Sequence, residues 1–143
     1  LYVERMVEGG IGELIVGITR DLLFGPVMTL GTGGVLVELL KDSATLLLPA
    51  SLAEVEAALQ GLQLYPLLDG YRGRPKADVT AAVDAILAIS HFVTDQADMI
   101  EELDINPLIV CGLGEGAWIA DALLVPRPSL LLVYGEGVDR RAG

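Results

Sequence analysis

The sequence predicts an α+β domain, a mixed but mainly antiparallel sheet with helices packed against one face. Three observations carry that prediction. β-rich segments crowd the first fifty residues, two amphipathic helical stretches fill the middle, and two further β segments joined by a glycine-rich turn follow before residue 126. A chain of 143 residues is long enough for one domain with a real core, since roughly 68–70% of the extended-chain surface is buried at this size.

Taken in order, YVERMV, ELIVGITR, GPVMTLG and GVLVELL read as the short strands of a meander, separated by glycines at 9, 10, 12, 25, 31, 33 and 34. Alternation within ELIVGITR places Glu13, Ile15, Gly17 and Thr19 on one face and Leu14, Val16, Ile18 and Arg20 on the other. The second face is expected to enter the core. Ser51 then opens a helix, because Ser51 and Glu54 make a capping box and Val55, Ala58, Leu59 and Leu62 follow at helical spacing. Two prolines and two glycines in YPLLDGYRGRP predict a surface loop. A second helix, from Ala77 to about Thr94, carries Val79, Val83, Ile86, Leu87 and Ile89 or Ser90 inward, with Asp78 favourable at the positive end of its dipole. ELDINPLIV and GAWIADALLV then read as a hairpin joined by GLGEG. Residues 126–143 are expected to form a tail, in which LLLVY is a short strand or an ordered segment and the last residues are disordered.

The bulk properties narrow the function classes. Nine Lys and Arg against twenty Asp and Glu leave a net charge of −11, which argues against a nucleic-acid partner. The hydrophobic content of 52% and mean hydropathy of +0.57 are high, yet no uninterrupted apolar run approaches the ~20 residues a membrane span needs. Such an apolar excess suits a domain that packs against something larger. A lone Cys111 leaves no internal disulfide framework and no cysteine-rich zinc site, is expected to be a small buried residue on a strand, and suits a reducing cytoplasm. With Leu at position 1 and no basic segment leading into an apolar one, the chain reads as cut from the interior of a longer protein.

In a strand of ELDINPLIV, Asp104 and Asn106 share a face with Cα atoms about 6–7 Å apart, while Leu103, Ile105 and Pro107 face the other way. A carboxylate and an amide oxygen side by side are hard donors of the kind Mg²⁺ takes beside nucleotide phosphates, and Asp121 on the next strand offers a third oxygen. The plain alternative is that Asp104 and Asn106 only end a strand on a solvated face.

ELDINPLIV with the downstream IAD, together with GELIVGITRD, FGPVMTLGTGGVLVELLKD and YPLLDGYRGRP, resembles the ATP-grasp portion of the NDP-forming acyl-CoA synthetases, relatives of the succinyl-CoA synthetase β chain. The resemblance runs in register from about Val3 to about Leu124 and identifies residues 1–125 with the C-terminal ATP-grasp subdomain. It implies that Asn106 and Asp121 are magnesium ligands, with Asp104 as a third, standing where many relatives have Glu. VERMV is similar to the hinge strand that reads adenine, which maps onto Glu4, Met6 and Val7. Glu13 resembles the acid that takes the ribose hydroxyls, two donors that a carboxylate accepts well. For Glu4 an exposed strand residue is an equal alternative.

Gly31-Thr32-Gly33-Gly34 permits close backbone approach to a phosphate but is not a Walker loop, since no GK[ST] follows. The resemblance makes it, with Glu38 and Asp42 after it, a structural element bordering the site. Arg72 and Arg74 are a close pair of guanidinium groups that suits phosphate or merely solvent. His91 is read as an ordinary helix residue, because the phosphohistidine of such synthetases lies in another domain.

The resemblance implies an ADP-forming acyl-CoA ligase that interconverts acid, CoA and ATP with acyl-CoA, ADP and phosphate through an acyl phosphate and a phosphohistidine. Acetate stands only as a default substrate. ATP or ADP and Mg²⁺ are the implied cofactors. The implied partners are the N-terminal ATP-grasp subdomain and a CoA-binding domain with the phosphohistidine, within an oligomer, so the isolated segment is expected to be inactive. Two alternatives stay open: a nucleotide-sensing domain of a synthetase–acetyltransferase fusion, and a structural subunit-interaction module.

Overall fold

Alternating apolar residues drive the first long strand into a sheet with one dry face. In the computed structural model, which describes residue 1, residues 3–34 and residues 41–128, β1 spans Gly10–Asp21 and β2 spans Gly25–Thr32. β3 is Ser43–Leu47, and α1 is Leu52–Gly61. A single helical turn, α2 at Tyr65–Leu68, and a 3₁₀ turn at Tyr71–Gly73 lead to α3, Val79–Asp95. The chain closes with β4 (Ile100–Cys111), β5 (Ala117–Ile119) and β6 (Ala122–Pro126). All but the first residue of GVLVELL, Glu38 with it, and the LLLVY segment lie outside the described residues.

The sheet order is β3-β2-β1-β4-β5, with β6 also paired to β4, and every ladder described is antiparallel. As expected, Leu14, Val16 and Ile18 are buried on one face of β1. With Met28, Leu30, Leu103, Ile105, Leu108 and Val110 they form the floor on which Val55, Leu59, Val83, Ile86 and Val93 of the helices pack. The opposite face carries no helix of the described residues and remains an open platform. No helix among the described residues is long and apolar enough to cross a membrane.

Local chemistry explains the helix ends. Ser51 Oγ accepts from Glu54 N at 3.2 Å, and the Glu54 carboxylate accepts from Ser51 N at 2.7 Å, closing the expected capping box. Those hydrogen bonds lower the Glu54 pKa below its ordinary value. Asp78 caps α3 by accepting from Ala81 N at 3.2 Å, and its second oxygen accepts from Gly116 N at 3.0 Å, tying the helix start to the β4–β5 turn. Ser90, fully buried on α3, donates no orphan cost because its oxygen accepts from Ala50 N at 3.0 Å.

Four expectations require correction. VERMV is not a strand: residues 3–9 belong to no ladder among the described residues, Met6 is 80% exposed, and Gly9 at φ +77° separates the segment from β1. A strand needs a neighbour for its backbone groups, and the described sheet offers none there. YPLLDGYRGRP is not a plain surface loop, since α2 buries Leu68 against β1, where Gly12 leaves space for its methyl groups. GAWIADALLV is two strands, broken at Ala120 and Asp121. Finally, Pro107 does not share the buried face with Leu103 and Ile105. Leu14 pairs with Leu108 and Val16 with Ile105, so two residues of β4 stand against one of β1, and burial resumes at Leu108. A bulge of this kind shifts the alternation by one residue.

Candidate functional site

The bulge and the strand break coincide. Asn106 N donates to Asp121 O at 3.1 Å and Ala120 N donates to Pro107 O at 3.0 Å, so the two irregular stretches hold each other where ordinary ladder pairing stops. Asn106 and Asp121 are thereby neighbours across the hairpin, both exposed. Asp104 is half-buried two residues before Asn106, on the open face opposite Leu103 and Ile105. Two carboxylate residues and one amide residue thus lie along this edge. Such hard, mostly anionic oxygens fit a Mg²⁺ ion that keeps several waters and takes the rest of its shell from phosphates. No group of three His, Cys, Asp or Glu among the described residues could hold a metal ion, so a cation here depends on the amide of Asn106 and on oxygens a ligand brings.

Glu13 stands on the same open face, half-buried near the start of β1. The glycine loop packs directly on it. Gly33 N donates to Glu13 O at 2.7 Å, and a Cβ on Gly34 would lie 2.8 Å from Glu13 Oε2. Gly34 also has φ +79°, a region that costs side-chain-bearing residues. The loop therefore borders the candidate site by positioning one of its acids. Asp42 does different work: its Oδ2 accepts from the Thr32 hydroxyl at 2.5 Å and from Leu64 N at 3.2 Å, stapling the end of β2 to the start of α2.

Glu4 is exposed and Val7 half-buried in the segment before β1, which borders a cavity of about 610 Å³. Arg5, Met6, Val7, Cys111, Glu115 and Trp118 line it. The Arg5 guanidinium lies 4.0 Å from the centre of the Trp118 ring, and Trp118 Nε1 donates to Glu115 O at 3.2 Å. Trp118 pairs with Ile109, which pairs with Glu13, so the indole belongs to the row that contains the ribose candidate. The sequence reading missed Trp118; the signal available was a lone tryptophan on the strand facing ELDINPLIV. Cys111, only 1% exposed, is among the residues lining this cavity, and burial pushes its thiol pKa up, with Glu115 adding to the shift.

The remaining candidates lie elsewhere. Arg72 and Arg74 are exposed, and Arg72 sits 5.1 Å from the ring of its own neighbour Tyr71 rather than near the site strands. His91 is on the exposed side of α3.

Comparison with known proteins gives this geometry a context. Acetate–CoA ligase (ADP-forming) II subunit beta of Pyrococcus furiosus is 39% identical over 125 residues, which are 87% of this chain and 52% of that protein. Acetate–CoA ligase (ADP-forming) of Methanocaldococcus jannaschii is 40% identical over 125 residues, 87% of this chain and 18% of that protein. The chain thus spans about half or less of the length of these relatives. The crystal structure of PH1788 from Pyrococcus horikoshii superposes with a TM-score of 0.80 at 38% identity, covering 87% of this chain and 52% of that one. The dinucleotide forming acetyl-coenzyme A synthetase 1 of Ca. Korarchaeum cryptofilum superposes with a TM-score of 0.75 at 33% identity, covering 85% of this chain and 55% of that one. That structure is in complex with coenzyme A and Mg-AMPPCP, its phosphohistidine segment pointing towards the nucleotide binding site. A family model for the ATP-grasp domain matches residues 1–125, and the chain belongs to that family.

Proposed function

We propose that residues 1–125 are the C-terminal subdomain of an ATP-grasp pair in an ADP-forming acyl-CoA ligase, contributing half of a Mg·ATP site. One observation supports the reading: the Asn106–Asp121 backbone bond makes two oxygen-bearing residues neighbours, two positions along β4 from Asp104, beside a sheet face that no helix of the described residues covers. Asn106 and Asp121, with Asp104, would hold Mg²⁺. A cation so held neutralises charge on phosphate oxygens, which is most of what phosphoryl transfer asks of a protein. Glu13 takes the ribose hydroxyls, and Glu4, Met6 and Val7 border the base. No nucleophile is required of this segment.

The rest of the reaction belongs to partners: an N-terminal ATP-grasp subdomain that closes over the platform and a CoA-binding domain that carries a phosphohistidine. Beta-subunit relatives that are only half covered by this chain support that division. A reducing cytoplasm suits the buried, free Cys111. The test is Mg²⁺-dependent nucleotide binding by the complete ATP-grasp pair, with Asn106→Ala and Asp121→Ala alongside. Each variant should weaken Mg·ATP binding by more than the roughly 10–100-fold that loss of a merely supporting residue costs a metal site. Undiminished binding in both variants sinks the metal assignment. Tight nucleotide binding without turnover would instead favour a sensing domain.

A further inference from the structure

The glycines within β1 and β2 do not all have the same reason to be glycine. A Cβ at Gly10 would meet Ile109 Cγ2 at 2.9 Å, at Gly12 it would meet Leu68 Cδ2 at 2.6 Å, and at Gly31 it would meet Asp42 O at 3.2 Å. Gly25 opens β2 with φ +73°. Gly17 has none of these reasons. It lies in the middle of β1, has no positive φ, and a Cβ there meets nothing within 4 Å among the described residues. A strand-interior glycine costs backbone entropy and gives up a packing side chain, and it commonly marks a place where a ligand comes close to the backbone.

The register shows what surrounds that gap. Thr45, Thr29, Gly17, Asp104 and Leu123 form one row across five strands on the open face. Neighbouring strands lie about 4.8 Å apart, so the Thr29 hydroxyl and the Asp104 carboxylate flank Gly17 at one strand spacing each. Thr29 is exposed and Asp104 half-buried. On the Thr29 side a trough of about 310 Å³ is lined by Gly17, Thr29 and Gly31, with Lys41 and Asp42 also bordering it. On the other side stands the edge of Asn106 and Asp121. Along β1, Glu13 lies four residues before Gly17 on the same face, about 13 Å away at the usual rise per residue. A group over Gly17 thus has the Thr29 hydroxyl on one flank, in a trough that Lys41 also borders, and the Asp104 carboxylate on the other.

We propose that Gly17 is a positioning residue that leaves room for the terminal phosphoryl group of the nucleotide, seated over the bare backbone between Thr29 and Asp104. The inference rests on the nucleotide reading above and adds where along the platform the phosphate chain ends. A methyl at Gly17 occupies the volume of that phosphoryl group while leaving base, ribose and inner phosphates their space. Its effect therefore depends on the number of phosphates.

The experiment is titration of the complete ATP-grasp pair with Mg·AMPPCP, Mg·ADP and inorganic phosphate, for wild type, Gly17→Ala and Gly17→Val, with thermal unfolding of each in the absence of ligand. Gly17→Ala should weaken Mg·AMPPCP by about tenfold, equivalent to about 1.4 kcal/mol, and Gly17→Val by more, while Mg·ADP is held as in wild type. Inorganic phosphate should bind the Mg·ADP complex of wild type and not that of Gly17→Val. The unliganded Tm should stay level or rise in Gly17→Ala, which a structural glycine would not allow. Equal losses for Mg·AMPPCP and Mg·ADP, or a lowered Tm, or weakened subunit assembly with unchanged nucleotide binding, overturn the proposal. In each of those cases Asn106→Ala still reports separately on the nucleotide reading, which fails only if wild type binds no Mg·nucleotide.

Discussion

Replacing Gly34 by Ala probes the coupling between the glycine loop and Glu13. Two costs follow from the geometry. Gly34 sits at φ +79°, where a Cβ crowds the backbone at about 1–2 kcal/mol. The new Cβ would also stand 2.8 Å from Glu13 Oε2, a contact that the flexible end of the Glu13 side chain relieves by swinging away. The main-chain bond from Gly33 N to Glu13 O at 2.7 Å holds the loop in place, so the side chain moves and the loop does not. A carboxylate that has left its position no longer accepts from the ribose hydroxyls, and a hydrogen bond to a charged group contributes about 1.5–3 kcal/mol. That corresponds to roughly 10–150-fold in affinity. The assay has two arms in the complete protein: urea unfolding, and titration with Mg·ATP and Mg·2′,3′-dideoxy-ATP. Gly34→Ala should lose about 1–2 kcal/mol of stability and most of the preference for the ribonucleotide, and Glu13→Ala should lose that preference with little change in stability. Wild-type stability in Gly34→Ala refutes the backbone argument, and a preserved ribose preference in Glu13→Ala refutes the role of the acid.

Two further outcomes follow from the core and from the helix cap. Leu108, fully buried where β4 resumes its inward face, should cost about 2–5 kcal/mol as Leu108→Ala in urea unfolding; a loss below about 1 kcal/mol would mean that the site collapses around the smaller side chain. Glu54 has a lowered pKa because it accepts from Ser51, so its contribution is present above the unfolded carboxylate value and is lost as pH falls through the folded one. The stability gap between wild type and Glu54→Gln should therefore narrow on acidification, and a gap that stays constant with pH would remove the ionised cap from the account.

What the sequence revealed was mostly local. Ser51 and Glu54 close their cap within four residues, and the alternation of β1 reports its burial without knowledge of any partner. α3 shows its apolar face by period alone, with Ile86 and Ile89 inward and His91 outward. β3 escaped notice because Leu46, Leu47 and Leu48 blur the alternation of a half-buried edge strand. The phase change at Pro107 is a property of two strands together and cannot be read from one. The same holds for the site. Oxygen-bearing residues at 104, 106 and 121 were visible as types, whereas the Arg5–Trp118 stack joins distant parts of the chain. The row of Thr29, Gly17 and Asp104 is a relation between strands, written in a register that only pairing defines.

The bulge in β4 makes one strand behave as two of opposite parity. Before Asn106 the odd-numbered residues Leu103 and Ile105 face the core, and after it the even-numbered Leu108 and Val110 do. Deleting one residue between them would remove the bulge and put Ile105 and Leu108 two apart on one regular inward face, so that the core side would be kept while the Asn106–Asp121 pairing would lose its extra residue. The two halves can drift in sequence independently, each keeping its own inward parity. The extra residue of that bulge thus serves the exposed edge where Asn106 meets Asp121 rather than the core beneath it.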